Sequence, residues 1–209
     1  MRIVVTRPES QADPLVGRLE ALGHEVVRCP LIRIEPLGSE PIDPSGYDWV
    51  VVTSPNGAAE LARRLTGPPV RIAAIGQATA TALAANGLRA DLVPQVSTQE
   101  GLLAELPPGR VLFAAAEGAR RLLVEERGAD FVPLYRTLEL RPPAPSGDLV
   151  LLASPSAVRA FAATGARIPA VAIGPQTAAE ALDLGLDVAA VAASHDVDGL
   201  LEAVSSLSH

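Results

Sequence analysis

Two kinds of turn each occur twice in this chain. Ser54-Pro55-Asn56 and Ser154-Pro155-Ser156 follow the apolar runs Trp49 to Thr53 and Leu149 to Ala153. Serine before proline has the chemistry of a helix start. The serine oxygen accepts a first-turn N–H, and proline at the first helical position gives up no hydrogen bond. About twenty residues further on come Ile75-Gly76-Gln77-Ala78-Thr79-Ala80 and Ile173-Gly174-Pro175-Gln176-Thr177-Ala178. There the glycine permits close backbone approach or a positive φ, and the threonine falls in the first helical turn near exposed amides. Hydroxyls and amides at helix N-termini suit an anion, carboxylate or phosphate. The Gly-x-Gly-x-x-Gly dinucleotide fingerprint is absent, since two of its three glycines are missing. Capping alone accounts for one Ser-Pro. Two at equivalent strand ends point to a ligand role for Ser54 and Ser154, with Asn56 and Ser156 extending the polar group.

Other candidates are few. Arg7, in Thr6-Arg7-Pro8 at the end of the first apolar run, is placed like a ligand contact, whereas Arg63-Arg64 and Arg120-Arg121 read as solvated helix faces. Tyr135 closes the strand Phe131 to Leu134, either with its phenol at a cleft mouth or as a buried tyrosine with a satisfied hydroxyl. His24 and Cys29 lie on one strand and read as structural and core, and His195 reads as surface beside a helix cap. No Gly-x-Ser-x-Gly elbow surrounds either serine, and histidine is too scarce to supply an obvious base.

All seventeen basic residues are arginine. Without lysine the chain has no Walker A loop, no pyridoxal phosphate Schiff base and no lysine-dependent aldol chemistry. The net charge of −7 argues against a nucleic-acid partner, which calls for a basic face. No His, Cys, Asp or Glu group has metal-ligand spacing, and no run reaches the ~18 apolar residues of a membrane span. One cysteine allows no intrachain disulfide, which suits a reducing compartment, so a cytoplasmic protein is expected.

Short β-rich runs alternate with longer helical segments, the pattern of a parallel-sheet α/β fold. Strands are predicted over 2–6, 24–29, 48–53, 70–75, 89–93, 110–114, 130–135, 148–153, 169–173 and 188–192. Helices fill 10–22, 55–65, 77–86, 98–106, 117–128, 155–164, 175–184 and 196–207. A shift of 98 lays Ile75 to Ala80 on Ile173 to Ala178, Gly87-Leu88 on Gly185-Leu186 and Gly101 to Leu103 on Gly199 to Leu201. A shift of 100 superposes Asp48 to Pro55 on Asp148 to Pro155, so one two-residue indel separates two copies. The alternation breaks at 32–36 and 136–141, where apolar and charged residues alternate and run into proline. Paired antiparallel, these form a two-stranded linker crossed twice by the chain. The expectation is two similar flavodoxin-like domains, the first discontinuous (1–31 and 142–209) and the second inserted (37–135).

Taken in order, Val5-Thr6-Arg7-Pro8, Thr53-Ser54-Pro55-Asn56, Ile75-Gly76-x-x-Thr79-Ala80, Leu134-Tyr135-Arg136-Thr137, Ser154-Pro155-Ser156 and Ile173-Gly174-Pro175-x-Thr177-Ala178 resemble the uroporphyrinogen-III synthase family. The resemblance runs the whole length of the chain. It implies two α/β domains joined by a β-ladder, with the linear tetrapyrrole hydroxymethylbilane bound between them and neither cofactor nor metal. It also implies a dehydrating cyclisation in which ring D attacks through its substituted carbon, and a spiro intermediate rearranges to invert that ring. Tyr135 matches the family tyrosine that serves the leaving hydroxyl. Thr6, Arg7, Ser54, Asn56, Gly76, Thr79, Ser154, Ser156, Gly174 and Thr177 fall in the turns that would hold the carboxylate arms.

The chain is short for that family, and Ala114-Ala115-Ala116-Glu117-Gly118 stands where a polar, glycine-containing turn is common, leaving Arg120 as the helper there. Two alternatives stay open: a non-catalytic sensor of tetrapyrroles or other anions, and a flavodoxin-like nucleotide binder. A monomer is expected, since no exposed apolar stripe is evident.

Overall fold

We describe the protein from a computed structural model whose described residues are 1–194 and 196–207. In chain order the first elements are β1 (Arg2–Val5), α1 (Glu9–Ala21), β2 (Glu25–Arg28), β3 (Ile32–Pro36), β4 (Trp49–Val52), α2 (Pro55–Arg64), β5 (Arg71–Ala74), α3 (Gln77–Ala85) and α4 (Gln99–Glu105). There follow β6 (Val111–Ala116), α5 (Leu122–Arg127), β7 (Asp130–Glu139), β8 (Leu149–Leu152), α6 (Pro155–Ala163), β9 (Ala170–Ala172), α7 (Pro175–Asp183), β10 (Val188–Val191) and α8 (Val197–Ser206). The chain divides into two compact units, Met1–Arg33 with Leu138–His209, and Ile34–Thr137.

In the first unit the strand order is β10-β9-β8-β1-β2, and every pairing is parallel. Ile3 and Val5 pack with Leu15 and Leu19 of α1 and Leu200 and Val204 of α8. Val4 packs on the opposite face with Val158 and Phe161 of α6 and Ala181 of α7. Strands covered on both faces must be apolar throughout, which is why they read as unbroken runs in the sequence.

The second unit repeats the design. β4 pairs with β5 and β6, and β6 with β7, all parallel, while β3 lies beside β7 at the edge. One face carries Val50, Val52, Ala114 and Tyr135 against α2 and α3; the other carries Val51, Phe113 and Ala115 against α4 and α5. Leu37 N–H donates to Leu134 O (2.8 Å) and Leu140 N–H to Leu31 O (2.9 Å). Partner numbers fall as the chain advances, so β3 and β7 run antiparallel.

Three segments differ from the sequence expectation. Residues 89–93 form only a bridge between Ala73 and Leu92, because the Asp91 carboxylate takes the Ile72 N–H (2.9 Å) that a strand carbonyl would have accepted. The helix expected over 117–128 begins only at Leu122. Glu117 N–H still donates to Tyr135 O (2.8 Å), and Gln99 Nε2 donates to Arg120 O (2.9 Å), which holds the intervening residues in a turn. Finally, the separate strands expected over 130–135 and 136–141 are one strand, β7, running unbroken from Asp130 to Glu139. It accommodates Pro133, which has no N–H, at a shift of register in which Ala115 faces Pro133 but Ala116 faces Tyr135.

The strand orders show how the internal repeat is distributed. β1 and β2 stand beside β8 as β6 and β7 stand beside β4. Pro30-Leu31-Ile32-Arg33 and Pro133-Leu134-Tyr135-Arg136 then match, and Gly23 and Gly128 both take positive φ (82° and 63°) after α1 and α5. Each copy therefore gives its first two strands to one unit and the remainder to the other.

Candidate active site

In an open parallel sheet the crevice lies at the carboxyl ends of the strands, where the winding order reverses. In the second unit that point falls between β4 and β6, and Ser54 lies just beyond β4. Ser54 is extended (φ −161°, ψ 155°) and caps α2, its Oγ accepting from Gly57 N–H at 2.9 Å, with Pro55 opening the helix. A side chain at 57 has no room, since a Cβ there would stand 2.9 Å from Val52 Cγ2 and 3.1 Å from Ser54 Oγ.

Tyr135 reaches the same point from β7. Its ring is packed in the core at 6% exposure, and its Oη lies 2.9 Å from Ser54 Oγ. Strand β6 runs between β7 and β4 and turns Leu112, Ala114 and Ala116 toward this face, the two alanines nearest its carboxyl end. Two methyl groups leave the phenol a path over the intervening strand. The ring of Tyr135 is thus buried and its hydroxyl partnered, with the phenol oxygen beside the cap of α2 at the sheet's reversal point.

The reversal in the first unit lies between β1 and β8. Ser154 caps α6 by accepting from Ala157 N–H (3.1 Å), and its Oγ is 3.0 Å from the exposed Ser156 Oγ. Thr6, 3% exposed, donates its hydroxyl proton to Leu151 O at 2.8 Å and so ties β1 to β8. Arg7 is half-buried, and no acceptor among the described residues meets its guanidinium. Burial alone holds its pKa below the ordinary arginine value. It remains a cation at the carboxyl end of β1, without a partner among the described residues.

The glycine and threonine turns differ from expectation. Gly76 (φ −171°) and Gly174 (φ −178°) are extended, so neither serves a positive φ. Gly76 is needed instead because a Cβ would meet Ser97 Oγ at 2.7 Å. Thr79 and Thr177 are buried at 2% and 3% exposure, in the first turns of α3 and α7. Neither hydroxyl is among the fully enclosed side-chain oxygens left without a partner, so the little surface each residue keeps includes its oxygen. Asn56 is half-buried and engaged within the protein.

Arg120, the expected helper, is tied to Glu100 at 2.6 Å. Burial raises the pKa of the Cys29 thiol, as fits a core residue. Burial, then the charge of the chain's amino group, lowers the pKa of His24, which lies at none of these turns. His195 is outside the described residues. Among the described residues no cluster of His, Cys, Asp or Glu could hold a metal ion, and no helix is long and apolar enough to cross a membrane. Two contributors escaped sequence reasoning: Gly57 and Gln99. Gly57 follows Ser54-Pro55-Asn56 directly, which was the available signal; nothing local marks Gln99.

A profile of the family described as "Uroporphyrinogen-III synthase HemD" matches residues 13–202. The chain belongs to the uroporphyrinogen-III synthase family. Its relatives in that family include the uroporphyrinogen-III synthase of Synechococcus elongatus, 31% identical over 97% of this chain and 93% of the relative. The chloroplastic uroporphyrinogen-III synthase of Oryza sativa is 27% identical over 97% of this chain and 79% of its own length. A crystal structure of a mutant uroporphyrinogen III synthase from the extremely thermophilic bacterium Thermus thermophilus superposes with a TM-score of 0.61 at 18% identity, covering 99% of this chain and 98% of that one. That similarity supports the α/β fold with parallel sheets. The family makes this chain a cyclising lyase of porphyrin biosynthesis.

Proposed function

We propose that the chain closes hydroxymethylbilane to uroporphyrinogen III, with Tyr135 serving the leaving hydroxyl and the strand-end turns holding the substrate's carboxylates. The hydroxymethyl C–O bond breaks as the adjacent pyrrole nitrogen gives up its proton, so the atoms lost are those of water. The substituted carbon of ring D then attacks the azafulvene, and the spiro intermediate rearranges with that ring inverted. The pyrroles supply the electrons, so the protein's work is to hold the substrate in shape and favour departure of the hydroxyl. A phenol that donates a hydrogen bond there acts as a general acid.

Arg7 supplies the charge that an acidic chain otherwise lacks at this point. Ser154, Ser156, the hydroxyls of Thr79 and Thr177 and the amides opening α6 and α7 add donors, beside the backbone of Gly76 and Gly174. The observation that carries the reading is the meeting of Tyr135 and Ser54 at a sheet's reversal point, in a chain of this family. We read each unit as flavodoxin-like, which the order β2-β1-β8-β9-β10 supports, and the β3–β7 ladder as the link the chain crosses twice. A cytoplasmic monomer completes the reading, supported by a single, buried cysteine.

Unaided, hydroxymethylbilane closes to the type I isomer. Incubation with this protein, followed by separation of the oxidised porphyrin isomers, is expected to give type III. Type I alone would overturn the proposal.

A further inference from the structure

Resting on that reading of Tyr135, we infer that Ser54 is its positioning residue, donating a hydrogen bond to the phenol oxygen so that the phenol proton is free for the substrate. A serine hydroxyl has one proton and two lone pairs. One lone pair of Ser54 Oγ accepts from Gly57 N–H at 2.9 Å, and Tyr135 Oη stands 2.9 Å away. The second contact runs in one of two directions. If the phenol donates, its only proton is consumed inside the protein and the leaving group receives nothing. If Ser54 donates, one lone pair of the phenol is occupied and its proton points elsewhere.

The helix favours the second direction. Gly57 N–H lies in the first turn of α2, at the positive end of the helix dipole, and draws electron density from Ser54 Oγ. An oxygen already accepting one hydrogen bond becomes a better donor and a poorer acceptor for the next. Serine thus conveys the polarity of the helix start to the phenol and fixes the rotation of its O–H.

The other copy of the turn shows that capping does not require this arrangement. Ser154 caps α6 in the same way, yet its hydroxyl partner is Ser156, and the residue matching Tyr135 is Ile32. The cap is common to both copies; the phenol belongs to one.

The test separates cap from hydroxyl. Glycine caps a helix nearly as well as serine, so Ser54→Gly is expected to keep its melting temperature within about 2 °C. Its kcat should fall about tenfold, the kinetic equivalent of one hydrogen bond, with KM little changed. Ser54→Thr restores the hydroxyl and should recover most of the loss. In a Tyr135→Phe background Ser54→Gly should cause no further fall, because its target is gone. Wild-type kcat in Ser54→Gly, or an equal loss with and without the phenol, overturns the positioning role while leaving Tyr135 in place. Full turnover by Tyr135→Phe removes the catalytic reading of that residue and the inference with it.

Discussion

Tyr135 Oη and Ser54 Oγ stand 2.9 Å apart, bridging from β7 to β4 over the alanines of β6. Removing the phenol oxygen leaves Ser54 with its cap to Gly57. Tyr135→Phe is therefore expected to fold normally and to lose turnover more than affinity, because the hydrogen bond to the leaving group strengthens as the C–O bond breaks. We expect kcat to fall about 10²-fold with KM within about threefold. Steady-state kinetics of type III formation checks it; equal loss in both, or none, counts against the role.

Ala116 leaves that phenol room to cross its strand. Ala116→Leu places a branched side chain on the face that Tyr135 occupies, opposite its pairing partner. The expected result is overpacking at about 1–3 kcal/mol and a kcat loss approaching that of Tyr135→Phe. Denaturant titration reads the first and product analysis the second.

Glycines 17 and 57 should respond in opposite directions to the same change. Gly17 lies within α1 with open space where a Cβ would sit, so Gly17→Ala should stabilise by about 0.5–1 kcal/mol through helix propensity. Gly57→Ala gains the same propensity but drives a Cβ to 2.9 Å from Val52, which is 0% exposed and has nowhere to move. It should melt lower than the parent, as thermal denaturation of the two variants side by side would show.

Arg7 carries a desolvated charge with no partner among the described residues, a cost that a binding role explains. Arg7→Leu should raise the melting temperature or leave it unchanged. KM for the polyanionic substrate should rise at least about tenfold, as for a lost charge-assisted hydrogen bond, and should become less sensitive to salt. A fall in stability with KM unchanged would make Arg7 structural.

Much of this was legible in the residues themselves. Ser54 and Ser154 announced their caps, because serine followed by proline leaves the chain few other conformations. The parallel strands showed as unbroken apolar runs because both faces are covered. The depth of Thr79 and Thr177 was not legible, since a first-turn position gives distance along the helix and not the side toward which the helix rolls. Asp91 was invisible as a strand breaker because its effect depends on Ile72 N–H, nineteen residues away. The position of Tyr135 at a strand end was legible and its role entered through family resemblance; its contact with Ser54 depends on the β7-β6-β4 order, which linear spacing does not encode.

The exchange of strands between the two copies sets an order on folding during synthesis. The unit Ile34–Thr137 is continuous and can close once its last strand leaves the ribosome, since domains generally fold as they emerge. The strand β1 has no such recourse. It is an inner strand of its sheet, and its second neighbour, β8, begins at Leu149. Until then Ile3, Val4 and Val5 wait with one edge open, and the earliest apolar strand to be made is among the last to be protected.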